Sequence, residues 1–154
     1  MNWRHLFLSL DGRIARRDFW IGMAAIVAAQ LLVMVPLMSR WNIDPDAGLP
    51  PVWFRNVSLL LDTVCAFPVF AICVKRQQDR DQTAGLSLLF VTAWLAFSVV
   101  EAFGLTQAGR NYTAIGWMFG VPLLAMAVII IVELGGRPGT PGPNRFGSGP
   151  THLN

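Results

Sequence analysis

Apolar residues run almost unbroken through four stretches of the chain: Phe19 to Ser39, about Val57 to Val74, Leu86 to Gly104 and Thr113 to Leu134. None of the four contains Lys or Arg. A helix that crosses a hydrocarbon core about 30 Å thick needs about 20 residues, so each stretch reads as a membrane span. The second is the shortest and carries Asp62. Backbone groups in lipid have no water to bond, which dictates helices. The apolar-polar alternation of barrel strands is missing. The expected fold class is all-α: an integral membrane four-helix bundle over residues 1–134, with a tail over 135–154.

The segments between the spans follow other patterns. Trp3, Leu6, Phe7 and Leu10 recur at i, i+3, i+4 and i+7, one apolar helical face. Arg4, His5 and Ser9 fall on the other side. This predicts a short amphipathic N-terminal helix on the membrane surface, or else an irregular leader packed on the bundle. Asp11-Gly12 reads as a turn. The loop from Arg40 to Asn56 contains Pro45, Pro50 and Pro51 and reads as irregular. The short loop Leu105 to Tyr112 makes the last two spans an antiparallel hairpin. Gly135 to Pro150 holds six Gly and four Pro, so it is expected to be an extended or disordered end.

Charge sets the orientation. Of the 12 basic residues in the chain, Arg4, Arg13, Arg16, Arg17, Lys75, Arg76, Arg80, Arg137 and Arg145 fall on one side of the four-span topology; Arg40, Arg55 and Arg110 fall on the other. The positive-inside rule puts both termini in the cytoplasm. The net charge of +3 therefore reads as a topology signal and not as a nucleic-acid footprint. The first span is expected to be an uncleaved anchor, because no small-x-small cleavage site follows it. Trp3 and Trp20 mark the inner interface, and Trp41, Trp53 and Phe54 the outer one. Trp94, in mid-span, is expected to pack against another helix.

Candidate chemistry is sparse. Cys65 and Cys73 are eight residues apart on one span, about 12 Å along a helix, too far to bond; both read as small packing residues. His5 and His152 stand near opposite ends, and no metal-ligand spacing, Gly-x-Ser-x-Gly, Walker loop or dinucleotide fingerprint occurs. No cofactor is expected, and an enzyme is disfavoured. Asp62 and Glu101 are intramembrane carboxylates at similar depth, and such residues are functional candidates by default. They either share a proton or, in the case of Asp62, glue helices together. Gln30 is expected to bond between helices, and Glu133 to reach the interface. Ala24/Ala28, Ala25/Ala29 and Gly116/Gly120 are spaced for close helix approach. Pro36, Pro68 and Pro122 are expected to bend their helices.

The run Gly12-Arg13-Ile14-Ala15-Arg16-Arg17-Asp18-Phe19-Trp20 resembles the opening signature of a bacterial inner-membrane family known as domain of unknown function 805. Lys75-Arg76-Gln77-Gln78-Asp79, then Thr83-Ala84-Gly85, is similar to that family's basic run after the second span; Gln78 stands at its His, and its Trp is missing. Pro143-Asn144-Arg145-Phe146-Gly147 looks like its tail motif. The resemblance implies a small multi-pass inner-membrane protein and brings no established activity.

All three motifs fall on the cytoplasmic side. Arg13, Arg16 and Arg17 are spaced i, i+3, i+4, and Asp79 and Asp81 are the acids of the facing loop. Arg13 or Arg16 is expected to pair with Asp79. The competing use of Arg13, Arg16, Arg17, Lys75, Arg76 and Asp79 is contact with anionic lipid or a partner. Two functions follow: a non-catalytic module binding headgroups, a membrane protein or its own copies, or a small transporter using Asp62 and Glu101.

Overall fold

The computed structural model describes residues 3–43 and 48–149. The order is α1 (Trp3–Leu8), α2 (Arg16–Arg40), α3 (Val52–Asp79), α4 (Gly85–Ala102), β1 (Gln107–Ala108), β2 (Asn111–Tyr112) and α5 (Ala114–Ile130), which runs on as a π-helix over Ile131–Gly136. Among the described residues, four helices are long and apolar enough to cross a membrane: Arg16–Arg40, Val52–Asp79, Gly85–Ala102 and Ala114–Gly136. Many of their large apolar side chains point outward, among them Leu32 at 76% and Leu124 at 67% exposure. A water-facing protein would not leave such a surface bare.

α3 is the central helix and packs against α1, α2, α4 and the π-helix. Its inward side supplies Cys65, Ala66, Val69, Ile72 and Cys73, which meet Phe19 and Ile26 of α2, Val91 of α4, and Ile130 and Leu134 at the end of α5. Both cysteines are buried packing residues with free thiols.

Several elements depart from the sequence reading. α3 runs five residues past Val74, because Lys75, Arg76, Gln77 and Asp79 are buried against partners. It also begins at Val52 on Pro51, inside the expected loop; the rest of that loop includes residues 44–47, outside the described part. Thr113 lies just before α5 and accepts from Gly116 N at 3.0 Å. The short loop before α5 carries a two-stranded hairpin, Gln107 opposite Tyr112 and Ala108 opposite Asn111. α1 ends at Leu8, so Leu10 is not on its face; Leu6 is fully buried, while Trp3 and Leu8 are exposed.

Gly116 and Gly120 are used inside the molecule. A Cβ at Gly116 would strike the Thr106 carbonyl, and one at Gly120 would meet Phe97 at 3.5 Å. That spacing closes α5 onto the hairpin and α4. α2 and the end of α5 meet where Trp20 packs on Gly135, and they diverge toward the hairpin. The gap is a cleft of about 560 Å³ with walls that are almost wholly apolar.

Candidate functional site

The densest polar site lies at the end of the bundle opposite the hairpin, where the three sequence motifs converge. Gly12 turns the chain at a φ of 95°, a conformation open to glycine. Arg13 then enters the protein before α2 begins, so it does not share a helical face with Arg16 and Arg17. It is 1% exposed. Its Nε donates to Asp79 Oδ1 at 3.1 Å, and its Nη2 lies 3.0 Å from the same oxygen. Arg76, one turn before Asp79 on α3, pairs with Asp79 Oδ2. One carboxylate thus sits between two buried guanidinium groups.

Two cations and one anion would be costly away from water. Backbone carbonyls make up the difference. Arg13 donates to Thr140 O at 2.7 Å, Gly142 O at 2.7 Å and Gly147 O at 3.2 Å. Arg76 donates to Leu134 O at 2.7 Å, Arg137 O at 2.6 Å and Ile14 O at 3.4 Å. Charge-assisted bonds of this kind stabilise by about 1.5–3 kcal/mol each.

The tail is therefore neither extended nor disordered over its described part, residues 137–149. It is irregular but folded back as a strap. Thr140 N donates to Asp79 O at 2.9 Å, Asn144 Nδ2 to Gln78 O at 2.8 Å, and Asn144 pairs with Gly147 in an isolated bridge. Gly and Pro prevent a helix here, and that leaves the carbonyls free to face Arg13. Gly139 fits because a Cβ there would strike the Asp79 carboxylate. His152 lies outside the described residues.

The π-helix feeds the same site. Its carbonyls take donors from other elements: Glu133 O from Arg80 at 2.8 Å, Gly135 O from Trp20 Nε1 at 3.2 Å, and Gly136 O from Arg16 at 3.2 Å. Helix ends leave carbonyls unpaired and favour cations, and these donors carry the helix to Gly136. Glu133 also pairs with Arg80 at 2.6 Å and Arg137 at 2.9 Å. Lys75, fully buried, donates to the carbonyls of His5 and Leu6, the latter at 2.5 Å, and so pins α1. A six-residue helix needs such help.

This geometry corrects part of the expected surface. Arg13, Lys75, Arg76 and Asp79 are at most 2% exposed, so lipid cannot reach them in this conformation. Arg16 and Arg17 remain exposed at the start of α2. Arg13, and not Arg16, takes Asp79. Sequence reasoning missed Thr140, whose only signal was a hydroxyl in a Gly/Pro run. It also missed the Gln77 side chain, which accepts from Ser87 N at 3.1 Å and from its hydroxyl, joining α3 to α4.

A second polar group lies within the spans. Asp62 Oδ1 accepts from Gln30 Nε2 at 3.1 Å, and Oδ2 from Ser98 Oγ at 2.6 Å. One carboxyl thereby joins α2, α3 and α4. Glu101 is three residues beyond Ser98 on α4, close enough to interact electrostatically with Asp62 and Arg55. Gln30 also borders the cleft between α2 and α5. Among the described residues, no cluster of three or more His, Cys, Asp or Glu suits a metal ion.

The range matched in comparison with known proteins includes all three motifs. The family model described as "Protein of unknown function (DUF805)" matches residues 7–148. An uncharacterized protein, YiiR, from Escherichia coli K12 is 32% identical over 143 residues, covering 90% of this chain and 84% of the relative. The uncharacterized YiiR of Escherichia coli O157:H7 aligns to the same extent. No solved structure matches. With the match running from α1 through the strap, the chain belongs to the DUF805 family.

Proposed function

We propose that this protein is a non-catalytic module of the bacterial inner membrane, both termini cytoplasmic, whose basic end binds anionic phospholipid headgroups. The observation that carries the reading is a division of labour among the basic residues. Arg13, Lys75 and Arg76 are buried in internal bonds. Arg4, Arg16, Arg17, Arg137 and Arg145 are exposed, and Trp3, Leu8 and Trp20 are exposed at the same end. Basic residues beside exposed indoles suit the headgroup layer, and each adds about 1 kcal/mol of attraction to an anionic surface. The basic-residue asymmetry of the sequence supports the orientation.

The test is retention of phosphatidylglycerol during purification in mild detergent, read by native mass spectrometry. Replacing Arg16 and Arg17 together with Gln should lower retention by more than tenfold while the fold survives. Unchanged retention would overturn the reading. A protein partner in place of lipid would appear as a co-purifying chain lost with the same pair.

The second reading, a transport component, draws on Gln30, which both borders the cleft and bonds Asp62. The apolar walls of the cleft weigh against a water path. Proton or cation flux into vesicles, abolished by Asp62→Asn, would favour it.

A further inference from the structure

The cleft between α2 and α5 is open to the side, where a bilayer would press hydrocarbon against it. Val27 and Gln30 of α2, Val69 and Trp94 on its floor, and Val121 and Leu124 of α5 border it. Val27, Val121 and Leu124 are 49%, 52% and 67% exposed. Its lining runs along α5 from Gly116 to Ala127 and on the other helices reaches Met23, three residues from Trp20, together with Val69 and Phe90. At the far end Trp20 against Gly135 brings the two helices together.

The closed end chooses the occupant. A transmembrane helix of a partner or of a second copy runs the full depth and would collide with the Trp20–Gly135 closure. A single acyl chain can enter from the hairpin side and end at that closure. At the mouth, the rings of Tyr112 and Trp117 meet at a tilt of 55° with centroids 5.5 Å apart, both half-exposed as interfacial rings are. Arg110, exposed in the turn of the same hairpin, adds a cation there.

We propose that this cleft binds one acyl chain of an anionic phospholipid from the leaflet on the hairpin side, with its phosphate at Arg110. The chain rests on the apolar walls, the aromatic pair brackets the glycerol level, and the guanidinium selects a net negative headgroup. The site is separate from the basic end and uses none of its residues.

The experiment compares chain-spin-labelled phosphatidylglycerol and phosphatidylcholine in vesicles that contain the full-length protein. The wild type should show a motionally restricted component richer in phosphatidylglycerol. Val121→Trp, which fills the cleft, should remove that component; Leu88→Trp, on the exposed face of α4, should leave it. Arg110→Gln should keep the restricted chain but lower the preference for phosphatidylglycerol about fivefold, the effect of one basic residue near a headgroup. Persistence of the component in Val121→Trp would overturn the proposal, and an unchanged preference in Arg110→Gln would overturn the phosphate assignment. A disulfide-linked dimer formed through Val27→Cys in vesicles would assign the cleft to a second copy and overturn it too.

Discussion

Replacing Asp79 by Asn isolates the charge at the centre of the basic end. The side chain keeps its shape and can still accept a hydrogen bond. Arg13 and Arg76, each 1% exposed, keep their carbonyl partners but lose the carboxylate that both pair with. Breaking a buried ion pair from one side costs about 3–5 kcal/mol, because it leaves uncompensated buried charge. Asp81 offers the control. Its pair with Arg145 is at 3.0 Å, but the side chains are 45% and 54% exposed, so Asp81→Asn should cost less than about 1 kcal/mol. Unfolding by SDS in mixed micelles, followed by circular dichroism, measures both. Trypsin gives a second reading, since a released strap frees the Arg145–Phe146 bond for cleavage. Adding Arg13→Met to Asp79→Asn removes one stranded cation and should recover part of the loss. If Asp79→Asn stays within about 1 kcal/mol of wild type and the strap resists trypsin, the buried ion triad does not hold this end together.

Other expectations are simpler to state. Asp62→Asn should leave stability nearly unchanged in the same SDS titration, whereas Asp62→Leu should cost about 0.6 kcal/mol and up to about 1.7, since it strands Gln30 and Ser98. Gly135→Ala puts a Cβ 2.5 Å from Trp20 Cζ2, so the indole must move; overpacking of this kind costs about 1–3 kcal/mol, visible as a lower unfolding midpoint in detergent. Reporter fusions after Asn154 should read cytoplasm and fusions within 46–50 the outside; a cytoplasmic signal from the second site would overturn the four-span orientation.

Much of the fold is legible because span length and apolar composition answer to the bilayer alone. Four runs without Lys or Arg and of sufficient length leave one architecture. The ends of the helices are less legible, because they depend on tertiary partners. α3 looks finished at Val74, where charges begin, yet it continues because Asp79 and the carbonyls of α1, the π-helix and the strap receive those charges. The pairing of Arg13 with Asp79 could be narrowed to two arginines from sequence; choosing between them needed the turn at Gly12, which places Arg13 outside α2. The strap was least legible. Six glycines and four prolines rule out a helix but say nothing about docking, and its order comes from carbonyls, which every residue has. Gly116 and Gly120 were legible only in part for a related reason: their spacing announces the close approach that the structure shows, without saying to what.

The account rests on the strap being part of the folded body, held by Arg13. Amide hydrogen exchange at Thr140 reads this most directly, because its N–H donates to Asp79 O at 2.9 Å while its carbonyl accepts from Arg13 at 2.7 Å. In the full-length protein in nanodiscs, the Thr140 amide should exchange as slowly as amides of the neighbouring π-helix, and Arg13→Gln should accelerate it at least tenfold while α3 stays protected. Exchange at Thr140 as fast as in an unstructured peptide in the wild type would contradict the account.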